Sequence, residues 1–345
     1  MSSPENTTVT WPASAALVGD EDRLLDGSTE VLLAPVRGRD PRRELPRELF
    51  SKRPALFLAK FGFASLLIAA SCAVIVAGLA WPLQALAVVV LGLMYAHLVE
   101  LQHETLHEHA FNSRRLNRWF GFVCGLFMLS SYSHYKYDHL RHHADLGTDG
   151  NREFFNYRFQ NLHRPDGLIR AMWHMGRYAD VFRDIVRSIA RRPIPGIRER
   201  HNRRIQDEYR LFAVAIVAAT AFTALTGDFV LVMLWLVPLL AIAEPTHFLI
   251  ELPEHFGLNT QSNPDVLSNT RTVAAGPVLR WFTNCNNLHT AHHYHQGVPM
   301  VNVRELHGLI GKQVRAAEDS YWSFFRKVAT GKLRYEDMGA TCMTR

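Results

Sequence analysis

Cysteine is scarce in this chain: Cys72, Cys124, Cys285 and Cys342 are all that 345 residues contain, and no two form a C-x-x-C pair. Their spacing excludes a ferredoxin-type iron–sulfur cluster and offers no disulfide framework, so the thiols are expected to stay reduced. A dinucleotide-binding glycine fingerprint is also missing, and any redox chemistry must borrow its electrons. The net charge of +6 comes without a nucleic-acid recognition motif, which argues against a nucleic-acid partner. The first residues lack the apolar core of a signal peptide, so none is expected.

What the chain has is apolar length and histidine. Mean hydropathy is only −0.06 because two phases are averaged: long apolar runs and arginine-rich stretches between them. Residues 1–46 are polar and without an apolar period, and are expected to form a flexible cytosolic tail. The cluster Arg37, Arg39, Arg42, Arg43, Arg47, Lys52 and Arg53 then precedes an apolar run from Leu56 to Ala80. A run of that length can cross a bilayer, which needs ~20 residues, and the positive flank keeps the N-terminus in the cytosol. Trp81-Pro82 marks an outer turn, and Leu83 to Leu101 returns as a second span. Leu211–Thr226 and Phe229–Phe248 repeat the hairpin around Gly227-Asp228.

Between the hairpins the chain is at its most basic, as expected of a loop held on the cytosolic side. Trp119 to Ser133 is apolar but too short to span, and reads as a re-entrant or interfacial helix. Leu168, Met172, Met175, Phe182, Ile185 and Ile189 recur at helical spacing opposite Arg170, Arg177, Arg183, Arg187 and Arg191. That pattern suits a helix on the membrane surface or one packed on the cytosolic domain. Leu306, Ile310, Val314, Tyr321 and Phe325 predict an amphipathic helix near the C-terminus. The expected fold class is an all-α polytopic membrane protein: two transmembrane hairpins, four spans, interfacial or re-entrant helices, and a cytosolic helical cap. The expected organisation is a tail over 1–46, a membrane domain over 47–304, and a helix with its tail over 305–345.

Eight histidines fall into three boxes at the ends of these spans. His103 and His107 are spaced i, i+4, while His139, His142, His143 and His289, His292, His293 each follow H-x-x-H-H. On a helix that spacing puts the imidazoles on one face, where they can converge on a metal. At this histidine abundance one H-x-x-H-H arises by chance in roughly one such chain in twenty, and two in roughly one in a thousand. Neutral imidazoles select transition metals, and eight are too many for one ion. Shared between two they leave room for an oxygen ligand, as O₂ activation at paired redox-active irons requires. Glu104, Asp138 and Asn287 flank the boxes as groups that can orient the imidazoles, because metal-bound histidine commonly donates its second N–H.

In order, spacing and topology the three boxes resemble the membrane fatty acid desaturase and hydroxylase superfamily. Gly147-Thr148, Glu153-Phe154-Phe155 and Asn269-Thr270-Arg271-Thr272 look like a bacterial branch of it. The resemblance implies a non-haem di-iron centre held by the eight box histidines, with O₂ as cosubstrate. It also implies an external electron donor of ferredoxin or cytochrome type, expected to dock on the basic face around Arg177, Arg183 and Arg187. The implied reaction abstracts hydrogen from an unactivated C–H bond, with desaturation of an acyl chain preferred over hydroxylation of a chain or specialised metabolite. The implied setting is the bacterial cell membrane, with both termini and the metal site cytosolic.

Two readings of other classes compete. His103-Glu104-x-x-His107 is also the H-E-x-x-H of a zinc protease, with Asn263-Pro264-Asp265 offering a later carboxylate, but that leaves both H-x-x-H-H boxes unexplained. A metal transporter would carry its site near the bilayer midplane, not at helix ends. A ninth ligand is expected from His255. Pro253 is expected to end the fourth span, leaving His255 level with the boxes and His247 deeper. His109 stands at i+2 from His107, a spacing that points away from the shared face, and remains an alternative. Arg271 is expected either to bind an anionic part of the substrate or to serve structure.

Overall fold

The computed structural model describes residues 45–155 and 157–338, so the expected tail over 1–46 lies outside the described residues except for Leu45 and Pro46. From Pro54 the chain carries no charge but Lys60 until past Val76, and it forms α1 (Pro54–Val76), with the proline in the first turn, where its missing N–H costs nothing. Gly78, at φ 61°, turns the chain into α2 (Trp81–Leu106). Two shorter helices follow, α3 (Arg114–Leu126) and α4 (Tyr132–Asp145). Each is started by a serine hydroxyl, Ser113 accepting from Leu116 N–H and Ser131 from His134 N–H. Then come α5 (Pro165–Met172), α6 (Gly176–Ile189), the long α7 (Glu199–Thr226) closed by left-handed Gly227, and α8 (Val232–His255). The remainder is short: α9 (Val266–Asn269), β1 (Thr272–Val273), α10 (Pro277–Phe282), α11 (His289–Tyr294), α12 (Val303–Ile310), β2 (Ala317–Glu318) and α13 (Tyr321–Ala329).

Helices α1, α2, α7 and α8 are long and apolar enough to cross a membrane, and the protein is an all-α polytopic membrane protein. Within their most apolar windows α2 is 56% and α8 44% buried, against 22% for α1 and 11% for α7. The first pair is therefore the centre of the bundle and the second pair its edge. Contact between α2 and α8 is close at Gly92, where a Cβ would stand 2.7 Å from the Pro238 carbonyl oxygen. Pro238 and Pro245 have no N–H to donate, and α8 widens to π-helical turns over Val232–Leu236 and Leu239–Ala243. Carbonyls in this stretch take side-chain donors: Tyr95 O–H donates to Leu234 O at 2.6 Å and Trp173 Nε1 to Leu240 O at 2.7 Å.

Several sequence expectations need correction. The spans do not stop where the apolar runs stop: α2 continues from Leu101 to Leu106, and α8 runs through Pro253 to His255 without turning at the proline. A proline this near a C-terminus interrupts little, and the end of α8 is closed from outside. Arg271 donates from Nη1 to Pro253 O (2.5 Å) and from its backbone N–H to Glu254 O (2.9 Å). Arg271 thus caps a helix, with Phe324 under its guanidinium at 5.0 Å, and serves structure. The turn expected at Pro253 comes at Gly257, with φ 72°.

The basic amphipathic stretch is two helices, α5 and α6, broken at Trp173–Met175. Arg177 does not join a surface face. It is buried, with Nε and Nη2 on the two carboxylate oxygens of Glu244 at 3.2 and 2.8 Å, and Nη1 and Nη2 on Met128 O at 3.1 Å. Phe182, Val186 and Ile189 remain exposed beside Arg183. The C-terminal helix expected from the 306–325 pattern is also two, because β2 intervenes and pairs in parallel with β1, Thr272 opposite Ala317 and Val273 opposite Glu318.

Candidate metal centre

Four helix ends meet at one end of the bundle. α2 brings His103 and, just past its end, His107; α4 brings His139, His142 and His143; α8 ends on His255; and α11 carries His289, His292 and His293. α4 is held in place through its N-terminus. Glu208 of α7 is buried and accepts from Ser133 N–H (2.8 Å), Ser133 O–H (2.6 Å) and Ser131 O–H (2.8 Å), a carboxylate at the positive end of the helix dipole.

The nine imidazoles divide into two sets, each with ring nitrogens within 4.8 Å of one another: His103, His107, His139, His143 and His292, then His142, His255, His289 and His293. In the first set His139 Nε2 lies 2.8 Å from His103 Nε2, 2.9 Å from His107 Nε2 and 3.0 Å from His143 Nε2. One nitrogen with at most one proton cannot make three hydrogen bonds. Nitrogens ~3.0–3.4 Å apart are, however, the neighbours expected around an ion bound at ~2.1 Å. His292, fully buried, has no hydrogen-bond partner at either ring nitrogen.

In the second set the tautomers can be read. His142 Nδ1 faces Asn151 Oδ1 (2.7 Å) and Glu153 Oε1 (2.8 Å), His255 Nδ1 faces Asn269 O (3.0 Å), and His289 Nδ1 faces Asn286 Oδ1 (3.0 Å). A carboxylate and a backbone carbonyl only accept, so these outer nitrogens carry the protons and the inner Nε2 atoms present lone pairs. Two such lone pairs, on His255 and His289, face each other at 3.0 Å. They repel unless a cation lies between them, and in both sets the residues fit a transition-metal ion.

Electrostatics favours the ligating form. Burial, reinforced by neighbouring imidazoles, holds His107, His139, His143, His289, His292 and His293 well below the ordinary histidine value of 6.5. His142 goes the other way: burial opposes its charge, but the Glu153 carboxylate, Asn151 and Asp145 together outweigh burial and raise its pKa. His142 in turn holds Glu153 below the usual carboxylate value against its burial.

The remaining sequence candidates lie as follows. His247 joins neither set; its Nδ1 is 2.9 Å from Tyr157 Oη. His109 stacks behind His107 at 5.2 Å between ring centroids, with its pKa pushed down to about 3 by burial. Glu104 accepts from Asn284 Nδ2 (2.8 Å), Asp138 lies 3.5 Å from His134, and Asn287 donates to Val273 O (2.8 Å). The groups on the box imidazoles are instead Asn151, Glu153 and Asn286, with Asn269 on His255. Asn286 could have been found by spacing, being three residues before His289. Asn269 could not, because its backbone carbonyl makes the contact. A cavity of about 10 Å³, room for one water-sized ligand, lies against both sets and is lined by Glu100, Glu153, Glu251, Glu254 and Tyr135 as well as by His103, His139, His142 and His289.

A bundle of four membrane-length helices gathers nine imidazoles into two adjoining sets, each of which could hold a metal ion. The profile of the fatty acid desaturase family matches residues 79–325, and the chain belongs to that family. It is an oxidoreductase of desaturase and hydroxylase type. No curated protein matches the chain.

Proposed function

We propose that the two sets hold a non-haem di-iron centre and that the protein desaturates an acyl chain. The carrying observation is the pair of imidazole sets whose ring nitrogens crowd within 4.8 Å of one another, with those of His255 and His289 facing lone pair to lone pair. Two irons held there would supply O₂ activation and the abstraction of hydrogen from an unactivated C–H bond. The protein's own part is placement: Asn151, Glu153, Asn269 and Asn286 fix the tautomers of His142, His255 and His289, and burial favours the neutral form of the ligands other than His142 and excludes bulk water.

The electrons come from an external ferredoxin or cytochrome, since the chain has no cluster-binding cysteines and no dinucleotide site. Arg177, buried on Glu244, takes no part in docking it; Arg183 and Arg187 keep that role. The zinc-protease reading loses its general base, because Glu104 is engaged by Asn284 rather than directed at the sets. The basic residues ahead of α1 support an orientation with the centre and both termini cytosolic; the membrane is proposed to be a bacterial cell membrane on the motif resemblance, with domain limits at 47–304 and 305–345.

Metal analysis of purified protein tests the centre: two irons per chain are expected, and a single zinc would refute it. Mass spectrometry of lipids from an expressing host tests the reaction. A product lighter by two hydrogens is expected, whereas one heavier by an oxygen would make the enzyme a hydroxylase.

A further inference from the structure

The two sets are unequal. The first has five imidazoles and the second four, and the carboxylate-lined cavity lies between them. Four neutral imidazoles bring no charge to offset a divalent ion in a buried site. Glu100, Glu153, Glu251 and Glu254 are the carboxylates at hand, and a buried charge needs a partner. Their geometry separates them. Glu153 Oε1 is 3.8 Å from His255 Nε2 but is engaged by His142 Nδ1–H at 2.8 Å. Glu251 Oε1 is 3.8 Å from His247, outside both sets. Glu100 Oε2 is buried without a hydrogen-bond partner in the same cavity, a sign that the space accommodates something besides protein.

Glu254 differs from the other three. Its Oε1 accepts from Asn286 Nδ2 at 2.7 Å, and its Oε2 stands 3.3 Å from His289 Nε2, the inward nitrogen of the second set. Asn286 ties the two residues together: its Oδ1 accepts from His289 Nδ1–H while its Nδ2 donates to Glu254. His289 Nε2 then has no proton, so the carboxylate oxygen faces a lone pair. With the carboxyl ionised, as a neighbouring cation requires, acceptor against acceptor at 3.3 Å is not a hydrogen bond but the separation of two neighbouring ligands on one ion.

The geometry points to Glu254 as an oxygen ligand of the metal held by His142, His255, His289 and His293. The centre is then a five-nitrogen site beside a four-nitrogen, one-carboxylate site. This rests on the di-iron reading of the sets, and the experiment separates the two.

Full-length protein in detergent is stripped with chelator and reloaded with ⁵⁷Fe(II). Iron per chain, affinity and the Mössbauer spectrum are then compared among wild type, Glu254→Gln and Glu254→Ala. Glutamine keeps an acceptor for Asn286 and can still position it, but brings no anionic oxygen. Wild type is expected to bind two irons with two distinct quadrupole doublets. Both variants should keep one doublet unchanged and bind the other iron at least tenfold more weakly. Retention of the first iron also reports that the variants are folded. If Glu254→Gln matches wild type in affinity and spectrum while only Glu254→Ala differs, Glu254 positions Asn286 and the ligand assignment is wrong. Wild-type behaviour in both variants, or equal loss of both irons, overturns it as well. Failure of wild type to bind iron at all would instead overturn the di-iron centre.

Discussion

His292 shows how a single side chain reveals its purpose: it is fully buried, with two ring nitrogens and a hydrogen-bond partner for neither. A buried polar group left that way costs about 1–3 kcal/mol, which a bound metal would more than offset. His292→Ala and His142→Ala are therefore expected to insert normally in the membrane yet lose turnover to below detection and lose iron; full iron with retained turnover in either would count against the assignment. His255 and His247 offer a sharper contrast, since one lies in a set and the other is engaged with Tyr157. Iron per chain should drop in His255→Ala and stay near the wild-type value in His247→Ala, and the reverse order would exchange their roles. The eight box histidines were legible because helical spacing alone puts them on one face. Glu153, Asn269 and Asn286 were not legible as partners, because what they contact is decided by where distant segments meet, and no local period encodes that.

Among the helices, α6 depends on one buried ion pair, Arg177 with Glu244 of α8, which also accepts from Tyr178 O–H at 2.8 Å. Removing one partner strands the other charge, so Glu244→Ala or Arg177→Ala should lose about 3–5 kcal/mol of stability, and the double change to Leu and Met should recover most of it. Thermal melting in detergent reads both; a double variant that loses the sum of the two single losses would show that the charges act independently. Sequence periodicity assigned Arg177 to a basic surface because a helical wheel records which face a residue is on, not what stands opposite that face. The same limit made the 306–325 pattern look like one helix. Apolar length, in contrast, identified all four spans and missed only their ends, since α2 and α8 continue as helices once protein rather than lipid surrounds them.

Across the whole molecule, the imidazoles couple folding to pH. Six of them outside the spans are held well below 6.5 when folded, so below that pH the unfolded chain binds protons that the folded chain refuses. Stability rises with pH in that window and is lost on acidification, at about 1.4 kcal/mol per pH unit for each fully affected group. His142, raised by Glu153, acts in the opposite sense, one group against six. The melting temperature of chelator-stripped protein should thus stay level from pH 8 to 7 and fall between about 6.5 and 5; a flat profile would mean that the imidazoles are not buried as described. Turnover is expected to be absent with purified enzyme and NAD(P)H alone and to appear when a ferredoxin or cytochrome carrier is added, and activity without a carrier would remove the need for a partner. The contact at Gly92 bears on this chemistry from a distance. His103 lies eleven residues beyond Gly92 on α2 and His255 thirteen beyond Ile242 on α8, nearly equal arms of roughly 17 and 20 Å from the crossing. The crossing is therefore a fulcrum, and the gap between the two imidazole sets is gauged not where they meet but deep among the apolar residues, by the absence of a single methyl group.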